Sequence, residues 1–131
     1  MQYQDYCIGN ELTVRDAMKV LDGISPKIVF IMSDGKLIAS LTDGDIRRFL
    51  LNGGKLSDLA VTASNQKPRT AYDERHAAQM YHERHYVAIP IVDTQGRIKN
   101  IYLGGRHFEE KKATLLRMKI QIQTQHKQKS S

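Results

Sequence analysis

The chain contains an internal repeat of about 60 residues, and this repeat restricts its possible folds more than any other feature. When the turn glycines Gly35 and Gly96 are aligned, "VFIMSDGKLIASL" lies on "PIVDTQGRIKNIY" with an offset of 61. Two copies with so long a period do not make a solenoid, which needs several stacked repeats. A single unit of this size can bury little apolar surface alone. We therefore expect two α/β units that bury their sheets against each other as an internal pseudo-dimer.

The first copy has the pattern of a helix, a hairpin and a second helix. Apolar residues recur at helical spacing from 14 to 21, and Thr13 with Asp16 resembles a capping box. The branched apolar runs "KIVFIM" and "KLIASL" predict two strands, and "SDG" between them predicts a hairpin turn. The second helix should end at "NGG", residues 52–54, because glycine readily adopts the left-handed conformation at a helix end.

The second copy follows the same order. "DERHAAQMYHERH" predicts a helix capped by Asp73, and "YVAIPIV" and "RIKNIYL" predict strands on either side of the turn "DTQG". The dipeptide "GG" then leads into a segment with an apolar stripe, which predicts a C-terminal helix. We expect repeat 1 to span residues 1–60, repeat 2 to span 61–108, and the helix with its basic tail to span 109–131.

Charge and composition indicate a globular cytoplasmic protein. Residues 109–131 account for +4 of the formal net charge of +6, so the folded part is close to neutral. The basic tail has no aromatic platform, which argues against nucleic acid as a partner. No apolar run approaches the roughly 20 residues that a membrane helix needs. The N-terminus lacks the pattern of a signal peptide, and the single Cys7 cannot form an internal disulfide.

The segment "SLTDGDIRRFLL", residues 40–51, combines two aspartates, a glycine and two arginines where a strand meets a helix. A helix N-terminus presents unpaired N–H groups and the positive end of the helix dipole, so it favours anions. Gly44 allows close approach to the backbone, and a carboxylate can accept from both hydroxyls of a ribose. Arg47 and Arg48 can contact phosphate, although adjacent helical residues do not share a face.

These residues also carry a resemblance to a known family. Ala39, Thr42 and Asp45 match the signature of the CBS domain pair, or Bateman module: a small residue, then Ser or Thr, then Asp three positions later. The resemblance covers residues 8–108. It implies an α/β (α+β) fold of tandem β-α-β-β-α repeats related by a pseudo-twofold axis, plus the C-terminal helix. The string "TDGDIRR" is especially similar to the CBS pairs of sugar-phosphate nucleotidyltransferases and arabinose-5-phosphate isomerases.

The resemblance implies a regulatory, non-catalytic module that binds an adenosine nucleotide (AMP, ADP or ATP) without a metal. It assigns Asp45 to the ribose and the Thr42 hydroxyl to phosphate or to the helix start. Lys27, at the start of the first strand, is a candidate for a contact to the base or phosphate. His85 lies where this family often has a basic residue near the ligand. The family also leads us to expect a homodimer and a partner or attached nucleotidyltransferase domain.

Two other interpretations of residues 42–45 stay open. Thr42 at the N-cap and Asp45 three residues later can form a capping box, and capping can be their only role. Asp43 and Asp45 as an acid–base pair or as Mg²⁺ ligands are disfavoured. Carboxylates two residues apart point to different sides of a helix, and two nearby arginines lower carboxylate pKa values, which disfavours a general acid.

The second copy departs from the signature. Under the same offset Thr42 becomes Leu103 and Asp45 becomes Arg106, so "LGGRHF" keeps the strand-to-helix corner but lacks the ribose carboxylate. Arg106 and the glycines can still hold a phosphate, and we expect one nucleotide per chain. "HERH", residues 82–85, lacks the further ligands of a zinc site.

Two alternatives to the regulatory module follow. The chain can be a fragment of a sugar-phosphate nucleotidyltransferase without its catalytic domain, since it has no glycine-rich nucleotide-transfer loop. It can also be a dimerisation scaffold whose nucleotide site has decayed.

Overall fold

The computed structural model describes residues 2–84 and 86–104, together with the backbone of 106–107. The predicted C-terminal helix and basic tail, 109–131, lie outside these residues. Short 3₁₀ helices occupy Tyr3–Tyr6 and Ala60–Ala63. The regular elements, in chain order, are β1 (Cys7–Gly9), α1 (Val14–Asp22), β2 (Ile28–Ser33), β3 (Lys36–Thr42), α2 (Asp43–Leu51), α3 (Glu74–Arg84), β4 (Ile89–Val92), β5 (Ile98–Leu103) and β6 (Arg106–His107).

The first repeat forms a three-stranded sheet in the order β1-β2-β3. Strand β1 runs parallel to β2, and β2 runs antiparallel to β3. Asp34 and Gly35 both have positive φ values, 52° and 78°, as a two-residue type I′ turn requires. The hairpin predicted from "SDG" is therefore confirmed.

Both helices of the first repeat begin and end where the sequence predicts. In α1 the side chain of Thr13 accepts from the Asp16 N–H, and Asp16 accepts in return from the Thr13 N–H. Of the apolar residues at helical spacing, Val14, Ala17 and Leu21 are buried, whereas Met18 is exposed. Helix α2 ends at Leu51, and Gly53 follows with a φ of 99°.

The second repeat forms its own sheet in the order β4-β5-β6. Ala71 pairs with Ile91 in parallel, which is the position that β1 has beside β2. Pro90 lies on β4 at the edge of this three-strand order, where a missing N–H is tolerated. Asp73 caps α3 as predicted, because its Oδ1 accepts from the His76 N–H at 2.8 Å.

The two hairpins differ in length by one residue. A register shift follows Ile31 in the first sheet and Ile91 in the second, so these two residues correspond with an offset of 60. Their partners, Ala39 and Asn100, correspond with an offset of 61. The gapless alignment of the two copies is therefore wrong by one residue, because the second turn contains one more residue than the first.

The second repeat packs into the core of the first through Ile101, and it also has a hydrophobic cluster of its own that contains Ile89 and Ile91. Ile101 on β5 is fully buried and belongs to the same hydrophobic cluster as Ile31 and Leu41 of the first sheet. The Leu37 N–H donates to the Gly96 carbonyl at 2.9 Å, which joins the two hairpins. Among the described residues, no helix is long and apolar enough to cross a membrane.

Candidate functional site

The corner between β3 and α2 is formed by a reciprocal pair of hydrogen bonds. Thr42 is the N-cap, and its Oγ1 accepts from the Asp45 N–H at 3.0 Å. Asp45 Oδ2 accepts from the Thr42 N–H at 2.9 Å. The chain therefore passes from strand to helix without a loop, and Ala39 three residues before Thr42 is fully buried. The predicted capping box is confirmed.

The N-terminus of α2 differs from that of α1, although both begin with a Thr-x-x-Asp box. In α1 the Val14 N–H donates to the Asp58 carbonyl at 2.8 Å, and the Arg15 N–H donates to the Leu56 carbonyl at 3.0 Å. Within the part of the chain that the structure describes, the N–H groups of Asp43 and Gly44 donate to no carbonyl of another segment. Among the described residues, the first N–H groups of α2 are therefore available to a ligand, whereas those of α1 are bonded within the protein.

Arg48, and not Arg47, contacts the corner. Its Nη2 lies 2.7 Å from Asp45 Oδ1, one helical turn earlier. A Cβ built on Gly44 would lie 3.3 Å from Arg48 Nη1, so the guanidinium lies close to the α2 backbone at Gly44. Arg47 is exposed, and as the next residue along the helix it is not expected to share a face with Arg48.

Lys27 lies beside the corner in the chain, but its ammonium has a different partner. It directly precedes Ile28, which pairs with Thr42 across the sheet. Its Nζ donates to the Leu21 carbonyl at 2.9 Å, in the last turn of α1. A cation at this end of a helix is favourable to the helix dipole. In the structure Lys27 therefore caps α1, and the predicted contact to base or phosphate stays a prediction.

The second repeat does not keep the strand-to-helix corner, so that expectation is wrong. After β5 the chain turns at Gly104, which has a φ of 49°, and returns as β6. Leu103 pairs with Arg106, and Tyr102 pairs with His107, antiparallel. The physical reason is that the positive φ of Gly104 reverses the chain into a hairpin.

His85 and the side chain of Arg106 lie outside the described residues, so their predicted ligand contacts remain predictions.

The described residues offer no metal site and no acid–base pair at this corner. No group of three or more His, Cys, Asp or Glu side chains is close enough to hold a metal among them. Asp43 is exposed, while Asp45 already accepts two hydrogen bonds as a carboxylate. Burial raises the pKa of the Cys7 thiol to about 11, which makes it a poor nucleophile.

Comparison with solved structures identifies the fold. CBSX2 in complex with AMP matches with a TM-score of 0.64 and 17% identity, over 88% of this chain and 92% of that one. The CBS domain pair of protein MJ0100, in complex with 5′-methylthioadenosine and S-adenosyl-L-methionine, matches with a TM-score of 0.61 and 18% identity, over 88% and 99%. This chain has the fold of a CBS domain pair.

A third solved structure of a CBS domain protein has the same fold. PAE2072 from Pyrobaculum aerophilum, complexed with AMP, matches with a TM-score of 0.62 and 16% identity, over 79% of this chain and 87% of that one. No family model matches the chain, and no curated protein matches it. At these identities the CBS-pair likeness covers the fold, and the function has to be argued from the residues at the corner.

Proposed function

We propose that this CBS-pair chain is a regulatory module that binds an adenosine nucleotide, AMP, ADP or ATP, at the β3–α2 corner and performs no chemistry itself. The observation that carries the proposal is the difference between the two Thr-x-x-Asp helix starts. The first N–H groups of α1 are bonded to the carbonyls of Leu56 and Asp58, whereas those of α2 have no such partners among the described residues. Only the α2 start combines free donors with a glycine and an arginine.

Each residue of the corner has a role in this proposal. Asp45 accepts from the ribose hydroxyls, because its two current hydrogen bonds leave lone pairs unused. The Thr42 hydroxyl accepts from the Asp45 N–H and still has its own proton to donate to a phosphate oxygen. The N–H groups near Gly44 and the guanidinium of Arg48 then receive the phosphate charge.

Three of the most similar solved structures support an adenosine ligand. CBSX2 and PAE2072 are complexes with AMP, and the MJ0100 pair is a complex with two adenosine derivatives. A ligand that prefers one arrangement of the two repeats would shift the population towards it. The Leu37–Gly96 hydrogen bond between the hairpins is one contact through which such a shift reaches the second repeat.

The proposal is tested by titration calorimetry with AMP, ADP and ATP, together with the thermal unfolding midpoint. We expect one site per chain. Saturation at 100 times Kd should raise the free energy of unfolding by about 2.7 kcal/mol. The decisive variant is Asp45→Ala, which should lose binding. Its matched control is Asp16→Ala, which removes the equivalent acid from the other Thr-x-x-Asp box.

The two variants separate ligand binding from helix capping. Both lose a capping hydrogen bond and should melt at a lower temperature than the original chain. Only Asp45→Ala should also lose the nucleotide-induced rise. An equal rise in both variants would move the site elsewhere, and no rise in the original chain with any of the nucleotides would favour a scaffold with a decayed site.

We further propose that the module is a cytoplasmic homodimer that controls an enzyme acting on sugar phosphates, either attached or as a partner. The support for the enzyme class is the similarity of "TDGDIRR" to the modules of sugar-phosphate nucleotidyltransferases and isomerases.

The support for a dimer is an exposed apolar group beside α1: Met18, Leu56 and Leu59 are 38%, 39% and 46% exposed. Light scattering should give twice the chain mass, and Leu59→Asp should give a monomer. Turnover of a sugar phosphate by this chain alone would contradict the regulatory proposal.

A further inference from the structure

The two repeats differ where the segment before the first helix packs against that helix, and in the second repeat this place is a cavity away from the β3–α2 corner. Ile31 and Ile91 each precede the register shift of their sheet, and they pair with Ile8 and Ala71 respectively. Ala71 therefore corresponds to Ile8. Two residues earlier along the chain, Arg69 corresponds to Tyr6, the last residue of the 3₁₀ helix before β1.

In the first repeat an aromatic ring fills the space between this edge segment and the helix. Tyr6 is 1% exposed, and its hydroxyl donates to the Ser25 carbonyl at 2.6 Å. It belongs to the same hydrophobic cluster as Ile24, which is 9% exposed, and the partly buried Val20 packs against that cluster. The first repeat is therefore closed and apolar at this point.

In the second repeat the corresponding place is open and basic. Helices α1 and α3 start after the N-caps Thr13 and Asp73, so Val20 corresponds to Met80. Arg84 lies one turn after Met80 on α3 and has no helical counterpart, because α1 already ends at Asp22. Where the first repeat has an apolar core with a tyrosine, the second repeat has a cavity of about 420 Å³ whose lining includes two arginines. The cavity is lined by Pro68, Arg69, Thr70, His76, Met80, Glu83, Arg84 and Tyr86.

The cavity lining has a net positive charge, because it contains two arginines and one glutamate. Within the part of the chain that the structure describes, no ion pair joins Arg69 or Arg84 to a carboxylate. Glu83 is the single carboxylate in the lining, and it accepts from Gln79 Nε2 at 3.2 Å. His76 Nδ1 accepts from the Tyr72 N–H, so the neutral ring has its proton on Nε2 and can donate.

We propose that this cavity, named here the Arg69–Arg84 cavity, binds a small molecule with a phosphate or carboxylate group. Two guanidinium groups recognise an oxyanion by bidentate hydrogen bonds. The Thr70 hydroxyl is a further donor, and Met80 and Tyr86 provide an apolar wall for the body of the ligand. The volume of about 420 Å³ leaves room for an organic part beside the oxyanion. The lining contains no residue of the β3–α2 corner, and none of the Leu103–Arg106 junction that is its counterpart in the second repeat. This inference therefore does not depend on the proposed nucleotide site.

Amide chemical shifts of the ¹⁵N-labelled chain test the proposal, with phenyl phosphate and benzoate as anionic probes and phenol as the neutral analogue. We expect the anions to shift the signals of Thr70, His76 and Tyr86 and to bind more weakly as salt is added. Phenol should leave these signals unchanged. A response to phenyl phosphate alone assigns the site to phosphates, and a response to benzoate alone assigns it to carboxylates.

Three variants complete the test. Arg69→Gln and Arg84→Gln should each weaken binding about tenfold, whereas Arg75→Gln, on the same helix but outside the lining, should not. Arg69→Tyr restores the residue that fills the first repeat and should abolish binding. If Arg69→Tyr does not fold, the two glutamine variants decide the question. Equal shifts with phenol, shifts confined to Asp43–Asp45, or unchanged binding in Arg84→Gln would overturn the proposal.

Discussion

Arg48 and Asp45 form an ion pair one helical turn apart, with 2.7 Å between Nη2 and Oδ1. The pair is solvent-accessible, since the Arg48 side chain is 61% exposed and that of Asp45 is 21% exposed. Exposed pairs of this kind contribute only about 0.2–1 kcal/mol. A ribose can therefore compete with Arg48 for the carboxylate, while a phosphate on the same ligand attracts the released guanidinium.

This competition predicts opposite effects of Arg48→Gln on two ligands. Adenosine should bind a few-fold more tightly, because it no longer displaces a cation from Asp45. AMP should bind a few-fold more weakly, because its phosphate loses a charge-assisted hydrogen bond. Calorimetric Kd values for both ligands check the prediction. Arg47→Gln removes the neighbouring charge as a control, and a shift of both ligands in the same direction would contradict the competition.

Removal of the Thr42 hydroxyl should destabilise α2. Thr42→Ala leaves the Asp45 N–H without its capping acceptor, so the free energy of unfolding should fall by about 1 kcal/mol. Thr42→Ser keeps a hydroxyl at the same place and should retain most of the stability. Urea unfolding followed by circular dichroism measures both, and equal losses in the two variants would show that the cap contributes nothing.

The stability of the second hairpin should depend on pH through Asp93. Its Oδ1 accepts from the N–H groups of Gln95 and Arg97, at 2.8 and 2.9 Å. The hydrogen bond from the Arg97 N–H is the main cause that lowers the Asp93 pKa below its usual 3.8. A carboxylate whose pKa is lower in the folded than in the unfolded state stabilises the fold at neutral pH, and this contribution is lost as the pH falls through both values.

The test compares Asp93→Asn with the original chain. The melting temperature of the original chain should fall as the pH drops below about 5, and Asp93→Asn should flatten part of this fall. Asp22→Asn, at the exposed end of α1, controls for the loss of one carboxylate. A steeper fall in Asp93→Asn than in the original chain would contradict the assignment.

Cys7 should react slowly with thiol reagents while the chain is folded. Burial raises the pKa of this thiol to about 11, so only ~0.1% is thiolate at pH 8. We expect the reaction with Ellman's reagent to be about 100-fold slower than that of a free cysteine. Unfolding in urea should restore the normal rate, and a fast reaction of the folded chain would show that β1 is accessible.

Short-range signals in the sequence were sufficient for most of the fold. The boxes Thr13–Asp16 and Thr42–Asp45 and the turn at Asp34–Gly35 depend on residues within three positions of one another, so the local sequence determines them. The repeat also predicted a shared core, because a single unit is too small to bury its sheet. Ile101 in the first-repeat cluster agrees with that argument.

Other features depend on distant residues and could not be read from the local sequence. The two Thr-x-x-Asp boxes look alike, and only the carbonyls of Leu56 and Asp58, which come well after α1 in the chain, distinguish the two helix starts. The pairing of Lys27 with Leu21 depends on where α1 ends in space. The dipeptide "GG" is compatible both with a helix start and with a hairpin. The structure has the hairpin, because the residues after "GG" form β6 and pair with β5.

The two repeats should unfold together, because any coupling between them requires a shared packed interface. Ile101 lies on β5 but is buried in the cluster that contains Leu41 of the first sheet. Ile101→Ala removes buried methyl and methylene groups and leaves a cavity, so the free energy of unfolding should fall by about 2–4 kcal/mol. Because both sheets border this cluster, near-UV and far-UV circular dichroism should show one coincident transition before and after the substitution. Two separate transitions in the original chain would mean that the repeats unfold independently, and a ligand bound at the β3–α2 corner would then have no packed core through which to affect the second repeat.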